Sequence, residues 1–385
     1  MRRKFVWLLL SIAIAVTTQA QEQFVTWYGH LDNAWYHIQS DKKATVTFLG
    51  GSITNMEGWR GKVCDYLSVT YPGTAFRFIN AGIPSLGSLP HSFRFKKDVL
   101  EKGTTDLLFV EAAVNDHVNG TNERTQRRAM EGIIRHVLRA NPQVNIVLMA
   151  FVDEDKMADY HAGKIPLEIQ VHEDLAKKYH LPFINLAKEV TTRINANEFS
   201  WKEDFKDLHP SPFGQNIYFT TIKKLLDSAF SRPVPKRLLS TKLPAPADPL
   251  NYENGAYGDI HNATALNGFS VVESWEPSDN VGTREGFVKV PMLVSGKAHA
   301  SVEYAFTGRT IGISIVSGPD AGVISYSIDN GPVQTKDLHT QWSKSLYLPW
   351  YLILGDDLTP GKHVLKIVTG EAAEGARIVY FLVNA

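Results

Sequence analysis

Cysteine is nearly absent from this sequence, since Cys64 is the only one among 385 residues. An intramolecular disulfide is therefore impossible, and the stability of the fold has to come from the burial of apolar side chains. Cys64 lies in a segment of helical periodicity beside Val63 and Leu67, so we expect it to be a small buried side chain and not a nucleophile.

The sequence also lacks a net charge, because its 40 basic residues balance its 40 acidic residues. The basic residues are scattered along the chain and form no block. This distribution argues against nucleic acid and against an acidic membrane surface as partners.

Long apolar runs are limited to the N terminus. Three basic residues at 2–4 precede an apolar run at 5–16 and small side chains that end at Ala20, which is the pattern of a secretory signal peptide at 1–20. No other segment is long and apolar enough to span a bilayer. We expect a protein that is exported to the periplasm or the extracellular space, with a mature chain that carries about three net negative charges.

Between Ala44 and Phe230, short apolar runs alternate with longer stretches of helical periodicity, as in a parallel sheet covered by helices. The predicted strands are 45–50, 76–80, 106–111, 145–151 and 183–186, and the predicted helices are 123–140, 167–179 and 214–230. On the helix at 123–140, the apolar residues Met130, Ile133, Ile134, Val137 and Leu138 share one face. The pattern predicts an α/β fold, a flavodoxin-like three-layer sandwich with a five-stranded parallel sheet.

Five prolines interrupt residues 231–255, which we interpret as a linker packed along the surface. Beyond it the helical periodicity disappears, and short β-rich runs are separated by turn residues such as Asp329-Asn330-Gly331. The pattern predicts an antiparallel β-sandwich domain at 256–385 after a first domain at 21–230. The length of the chain also favours two domains.

Four polar segments follow predicted strands or precede the last helix. They are Gly50-Gly51-Ser52-Ile53-Thr54, Asn80-Ala81-Gly82, Val114-Asn115-Asp116 and Asp207-Leu208-His209-Pro210. Because ligands of open α/β sheets bind beyond the carboxyl ends of the strands, we expect these segments to converge. Acyl transfer needs a nucleophile, a base, an orienting acid and donors for an oxyanion, and the segments contain each type. Taken alone, the first segment is more simply a strand-to-helix turn with Ser52 as a cap.

Taken in order, the four segments resemble the four blocks of the SGNH (GDSL-like) hydrolase superfamily, and the resemblance covers roughly residues 45–230. The resemblance implies that Ser52 is the nucleophile, that His209 is its general base and that Asp207 orients the imidazole. It also implies an oxyanion hole made of the backbone N–H groups of Ser52 and Gly82 and the side-chain amide of Asn115. The first domain would then be the hydrolase domain.

Two positions depart from the family pattern. Gly51 stands where the family usually has Asp, but that Asp is not the base of the nucleophile, so its loss need not impair catalysis. The family usually places Asp three residues before the histidine, where this chain has Lys206. A local one-residue deletion would let Asp207 reach the same nitrogen. Otherwise Asp204 or a backbone carbonyl would orient His209, which would leave a Ser-His dyad.

Further polar and aromatic residues lie near the four segments. We expect Glu111 to be buried and paired, and Asp116 to cap a helix or fix its loop. Trp59 and Trp201 flank the first and last segments and are candidates for a sugar-binding rim, although buried aromatic residues are commoner than sugar platforms. The histidines at 91, 117, 161 and 172 have no spacing typical of metal ligands, so we expect no metal and no cofactor.

The resemblance, the predicted export and the appended β-sandwich together predict a secreted esterase that hydrolyses O-acyl esters, chiefly O-acetyl esters, on a polysaccharide. One alternative is an inactive hydrolase scaffold that serves as a carbohydrate-binding protein. Another is an esterase of lipids or small esters, which is less favoured because no apolar lid segment lies near the four segments. The β-sandwich either binds glycan or has a purely structural role.

Overall fold

The computed structural model describes residues 24–371 and 375–385. The predicted signal peptide at 1–20 lies outside these residues. The described chain divides into two compact units. The first, called the α/β unit, contains residues 24–83, 104–126 and 138–244, and the second, called the β unit, contains 84–103, 127–137, 245–371 and 375–385. The units are defined by packing, and the predicted domain boundaries at 230 and 255 stay a prediction.

A six-stranded sheet forms the centre of the α/β unit. Its strands are β1 (Val25–Trp27), β2 (Lys43–Gly50), β3 (Ala75–Gly82), β4 (Leu107–Glu111), β5 (Asn145–Ala150) and β6 (Pro182–Asn185), in the spatial order β1-β6-β5-β4-β2-β3. Strands β2 to β6 are parallel. Their order is the flavodoxin-like 2-1-3-4-5 arrangement, so the predicted α/β fold is confirmed.

The sheet has one strand more than the five that the sequence predicts. Strand β1 pairs antiparallel with the edge strand β6, with Val25 opposite Ile184 and Trp27 opposite Pro182. Three residues are too few to show the alternation by which a strand is detected in a sequence. The five predicted strands are all present, with ends within two residues of the prediction.

The α-helices of the described chain follow the predicted alternation with the strands. They are α1 (Asp32–Tyr36), α2 (Ser52–Asn55), α3 (Trp59–Thr70), α4 (Ser88–Asp98), α5 (Ala113–Val118), α6 (Glu123–Ala140), α7 (Glu154–His161), α8 (Leu167–Tyr179), α9 (Leu186–Asn195) and α10 (Pro212–Phe230). Helices α6 and α8 have the predicted bounds. Helix α10 begins two residues early, because the Ser211 side chain accepts from Gly214 N and Pro212 occupies the first helical position.

The central strands of the sheet are buried on both faces. Val46 and Phe48 of β2 are fully buried, as are Leu108 and Phe109 of β4, and the rings of Phe48 and Phe109 stack 5.4 Å apart. Because both faces of such strands are buried, their sequences are continuous apolar runs without alternation. Each such side chain contributes about 1.5–3 kcal/mol to folding through its burial. This packing holds the carboxyl ends of β2 and β4 side by side.

The β unit contains two sheets. Its strands are β7 (Gly255–Gly258), β8 (Thr264–Asn267), β9 (Phe269–Trp275), β10 (Gly282–Thr283), β11 (Val290–Ser295), β12 (Ser301–Gly308), β13 (Thr310–Ser317), β14 (Val323–Ile328), β15 (Gln334–Asp337), β16 (Leu346–Gly355), β17 (Gly361–Thr369) and β18 (Arg377–Asn384). One sheet has the order β10-β16-β13-β18-β11-β9, with β7 also paired to β18, and the other has the order β15-β14-β17-β12-β8. Both contribute to one apolar core, with Ile313 from β13 and Leu365 from β17.

The pairing in the β unit is antiparallel apart from the short parallel contact of β10 with β16. The predicted antiparallel β-rich region is therefore confirmed. Strand β16 is not predicted from the sequence, because Pro349 interrupts its run and proline cannot donate to a ladder. In the structure Pro349 lies opposite Val316 of β13, whereas β10 on the other side pairs only with Leu346 and Tyr347. The missing N–H of Pro349 therefore leaves no gap in the pairing with β10.

Candidate active site

The turn between β2 and α2 places Ser52 at the carboxyl edge of the sheet. Strand β2 ends at Gly50, and Ser52 is the first residue of α2. A Cβ at Gly50 would overlap the Thr54 side chain and would lie 3.3 Å from the backbone oxygen of Glu111. The ends of β2 and β4 are thus in close contact. This is the point where the strand order reverses, and open α/β sheets bind their ligands there.

Ser52 and His209 are brought together in the structure. The Oγ atom of Ser52 lies 2.8 Å from Nε2 of His209, which comes from the loop before α10. This is a hydrogen-bond distance, and it is the geometry that transfer of a proton from a hydroxyl nucleophile to a base requires. The His209 side chain is 49% exposed, so the pair is open to solvent.

Asp207 accepts a hydrogen bond from the backbone of His209 and lies near its ring. Its Oδ1 accepts from the backbone N–H of His209 at 2.6 Å, whereas the distance from Oδ1 to Nδ1 is 3.9 Å. The second distance is too long for a hydrogen bond. The bond to the N–H two residues on is an Asx turn, which shapes the loop. The shift of one residue from the family position thus leaves Asp207 near Nδ1, within ion-pair distance of a protonated imidazole but beyond hydrogen-bond distance.

The alternative acid, Asp204, is also directed elsewhere. Its Oδ2 accepts from the backbone N and from Oγ of Ser200, at 2.7 and 3.0 Å. Between the two carboxylates, Lys206 has a φ of 91°, which lies in the left-handed region that a lysine seldom adopts. The position that the family gives to Asp is thus part of a strained turn in this chain.

The N–H of Gly82, which the resemblance places in the oxyanion hole, has an acceptor within its own loop. The N–H donates to Oδ1 of Asn80 at 2.9 Å, so it is already used within the loop. Gly82 instead allows close packing, because a Cβ there would lie 2.6 Å from Asn55 N and 2.9 Å from the carbonyl carbon of Thr54. The sequence places Asn80 in the same polar segment as Gly82 but does not predict its contact with Gly82 N.

Asn115 and Glu111 lie together at the end of β4. Asn115 is on the short helix α5 and is 9% exposed, and its amide can donate hydrogen bonds. Glu111 is 1% exposed, and its Oε1 accepts from the backbone N–H of Val114 at 3.2 Å and of Phe151 at 3.4 Å. The prediction that Glu111 is buried and paired is confirmed. Burial raises the pKa of Glu111 to about 7, against the opposing effects of the Val114 N–H and the charge of Lys156.

Asp116 is not the N-cap of its own helix, α5. It lies inside α5, whose N-cap is Ala112, and its side chain is fully buried. Its backbone carbonyl accepts from Thr121 N at 2.9 Å, which closes the turn after the helix.

The two tryptophans proposed for a sugar-binding rim have different environments. Trp59 is fully buried, with its ring 5.5 Å from that of Phe48 and 5.7 Å from that of Phe151. The prediction for Trp59 is therefore wrong, because its side chain belongs to the core. Trp201 is partly buried, its Nε1 donates to Glu154 at 2.8 Å and its ring stacks on Phe205 at 5.0 Å. Trp201 remains a candidate.

Cys64 lies on α3, the helix that follows the Ser52 turn. Cys64 is only partly buried, less than predicted. Its burial raises the pKa of the thiol to about 11, so the protonated form dominates at neutral pH.

Within residues 24–371 and 375–385, no group of three or more His, Cys, Asp or Glu side chains could hold a metal ion. In the same ranges no helix has the length and apolar character needed to cross a membrane.

The α/β unit that contains Ser52 and His209 matches a known family of proteins. Residues 48–217 match the GDSL-like Lipase/Acylhydrolase family, so the resemblance predicted from the four segments is confirmed over this part of the chain. The matched range includes Ser52, Asn115 and His209. Residues 48–217 therefore correspond to a domain of the GDSL-like class, whose members are carboxylic ester hydrolases. No curated protein matches the sequence.

Solved structures are similar to this chain over nearly its whole length or over about half of it. A two-domain esterase (CEX) active on acetylated mannans has a TM-score of 0.78 at 20% identity, over 95% of this chain and 98% of that chain. The same esterase co-crystallised with mannopentaose has a TM-score of 0.77 at 19% identity, with the same coverage. An acetylxylan esterase from Geobacillus stearothermophilus matches 48% of this chain and 94% of its own, at 17% identity and a TM-score of 0.39. The two mannan-esterase structures show that the α/β and β units occur together in a known fold.

Proposed function

We propose that this protein is a secreted esterase that removes O-acyl groups, chiefly acetyl groups, from a polysaccharide, with Ser52 as nucleophile and His209 as general base. The distance of 2.8 Å between Ser52 Oγ and His209 Nε2 carries the proposal. The match to an acylhydrolase family supports ester hydrolysis. The shared fold with an esterase active on acetylated mannans supports an acetylated polysaccharide as the substrate. The signal-peptide pattern at 1–20 supports export.

In the first half-reaction, Ser52 Oγ attacks the ester carbonyl carbon while His209 Nε2 accepts the hydroxyl proton. The carbonyl oxygen becomes negatively charged, and the backbone N–H of Ser52 and the amide of Asn115 stabilise it. The N–H groups of a first helical turn have no acceptor within the helix, so that of Ser52 suits this task. The C–O bond to the sugar then breaks, His209 returns the proton to the sugar oxygen and the acyl group stays on Ser52.

In the second half-reaction, water replaces the sugar. His209 accepts a proton from the water as its oxygen attacks the acyl carbon, and the same donors stabilise the second oxyanion. The bond from the carbonyl carbon to Ser52 Oγ breaks, the proton passes from His209 to Oγ, and the carboxylic acid leaves. The half-exposed His209 is accessible to the water that this step consumes.

Asp207 supports His209 through the backbone in this mechanism. Its carboxylate holds the N–H of His209 at 2.6 Å and so sets the direction in which the side chain leaves the loop. The loop is further held by the backbone bond from Ser211 N to Phe205 O at 2.8 Å. We therefore propose a Ser52–His209 pair in which Asp207 positions the base through its backbone N–H, without a hydrogen bond to the ring.

Purified protein assayed with p-nitrophenyl acetate, acetylated mannan and acetylated xylan tests the proposal. Ser52→Ala should lower kcat by about 10⁴-fold or more, as loss of the nucleophile does in serine hydrolases. Ser68→Ala, an exposed serine on α3, is the matched control and should retain activity. Equal rates for the parent and Ser52→Ala would refute the esterase. Serine-dependent hydrolysis of p-nitrophenyl acetate without acetate release from either polysaccharide would refute the substrate class alone.

A further inference from the structure

Glu111 is a buried carboxyl group for which the reaction as described has no use. It ends β4, four residues before Asn115, and only 1% of it is exposed. A single oxygen, Oε1, accepts from two backbone N–H groups on different elements, Val114 in α5 and Phe151 after β5. Burying a carboxyl group is costly unless it is hydrogen-bonded. The two hydrogen bonds of Glu111 offset that cost, and they point to a structural role for this side chain.

Helix α5, which carries Asn115, depends on outside contacts for its position. It has six residues, and its N-cap Ala112 has no side-chain hydrogen bond to the helix. Isolated helices of this length are unstable in water, and the first N–H groups of any helix lack intrahelical acceptors. Glu111 supplies an acceptor for one of them, at Val114, directly beside Asn115.

The other contact of Glu111 leads toward the segment that carries His209. Beyond Phe151, the N–H of Val152 donates to the Tyr218 hydroxyl at 3.2 Å, and the rings of Phe151 and Tyr218 stack 4.5 Å apart. Tyr218 lies on α10, and its ring also contacts that of Phe205, 5.8 Å away. Phe205 O accepts from Ser211 N in the His209 loop. Burial raises the pKa of Tyr218, which keeps its hydroxyl group neutral.

We propose that Glu111 is a positioning residue for the oxyanion-hole amide of Asn115, which it holds in register with the His209 loop through Val114, Phe151 and Tyr218. This inference rests on the function proposed above. A buried polar network whose members are hydrogen-bonded specifies one arrangement of the elements it joins. An apolar side chain at 111 would fill the space but would leave the N–H groups of Val114 and Phe151 without this acceptor. Asn115 would then sample positions away from the developing oxyanion.

The test measures kcat and KM for p-nitrophenyl acetate in Glu111→Leu and Glu111→Gln, each in the parent and in Asn115→Ala. Glu111→Leu should lower kcat about 10- to 100-fold in the parent with little change in KM, because an oxyanion contact acts on the transition state. In the Asn115→Ala background, Glu111→Leu should lower kcat less than about 3-fold. If Glu111 acts through Asn115, the effects of the two substitutions on kcat are not additive. Glu111→Gln keeps one acceptor oxygen and should remain within about 3-fold of the parent.

Glu189→Leu is the control for loss of a buried glutamate. Glu189 is 4% exposed in the same unit, and its carboxylate bonds Thr221 Oγ1 at 2.6 Å and Arg193 at 3.2 Å. We expect Glu189→Leu to lower the melting temperature without the fall in kcat. If Glu111→Leu does not fold, Glu111→Asp takes its place, because a carboxylate shorter by one methylene cannot reach both N–H groups.

Two results would overturn the proposal for Glu111. One is an equal fall in kcat for Glu111→Leu in the parent and in Asn115→Ala. The other is an unchanged kcat in a folded Glu111 variant that has lost the acceptor. Ser52→Ala, measured alongside, shows separately whether the activity depends on Ser52, so a failure of the proposed function is recognised independently of Glu111.

Discussion

Ser52 Oγ lies 2.8 Å from His209 Nε2, and the two residues are held by different parts of the α/β unit. Ser52 follows β2 in the centre of the sheet, whereas His209 belongs to the loop that ends at α10. A shift of about 1 Å between reacting groups can cost two orders of magnitude in rate. The residues that fix these two segments are therefore expected to control activity as strongly as the groups that react.

Asn115→Ala should lower kcat by about 10²–10³-fold and change KM little, because the amide donor acts on the charge that develops in the transition state. Initial rates on p-nitrophenyl acetate measure the effect. Asn216→Ala, which truncates an exposed asparagine on α10, is the control and should behave as the parent. An Asn115→Ala enzyme with full kcat would remove this residue from the mechanism.

Asp207→Asn should retain most activity, with a loss below about 10-fold, because an amide oxygen can still accept from His209 N. Asp207→Ala should lose more, since it removes the acceptor that holds the turn. His209→Ala should lose about 10⁴-fold or more. The three variants are compared by kcat on p-nitrophenyl acetate. If Asp207→Asn is as damaging as His209→Ala, the negative charge of Asp207 is required and the backbone role is wrong.

Gly82→Ala should destabilise the fold by about 1–3 kcal/mol, because the new methyl group would press on the backbone of Asn55 and Thr54. Activity should fall as well, since α2 begins at Ser52. Gly73→Ala provides the control, with no atom within 4 Å of the added Cβ. Urea denaturation and kcat are measured for both. A Gly82→Ala protein as stable as Gly73→Ala would show that the close packing of α2 on β3 is not needed.

The buried carboxyl of Glu111 should make stability fall as the pH rises. Its pKa in the folded protein is about 7, above the ordinary value of 4.5, so the folded state binds the proton more tightly than the unfolded state. Its favourable contribution is complete below about pH 4.5 and is lost as the pH rises through 7, a change of about 3 kcal/mol.

Glu111→Gln isolates the titration of Glu111. The other titratable groups are present in both proteins, so their contributions cancel in the difference between the two unfolding free energies. Urea unfolding between pH 4.5 and 8 should show a difference in unfolding free energy between parent and variant that changes with pH. Curves that run parallel over the whole range would contradict a raised pKa at Glu111.

In the β unit, Asp320→Ala should destabilise the protein by about 2 kcal/mol, because it leaves the guanidinium of Arg377 buried without its carboxylate. Arg377 is 2% exposed and binds both oxygens of Asp320 at 2.6 Å, while the 42% exposure of Asp320 reduces the expected cost. Glu276→Ala breaks the exposed pair with Lys289 and should cost less than about 1 kcal/mol. Equal effects in urea denaturation would show that burial of Arg377 does not matter.

The sequence by itself determined the elements whose pattern is local. The apolar face of α6 predicts both its bounds and its burial, and the continuous apolar runs of β2 and β4 predict strands buried on both faces. The resemblance of the four ordered segments to a hydrolase family implied Ser52 and His209 as partners. Periodicity suffices for these elements because side chains on one helical face, or along one strand, share their surroundings whatever the rest of the chain does.

Tertiary structure alone decided which atoms meet. The carboxylate of Asp207 turns to a backbone N–H, the N–H of Gly82 is used by Asn80, and Trp59 lies in the core. Each outcome depends on differences of about 1 Å between segments far apart in the chain, and hydrogen bonds are lost over such distances. The sequence gives the type of each polar group and its approximate position. Which of two nearby acceptors a donor binds is decided only when the packed chain fixes the positions of all three groups.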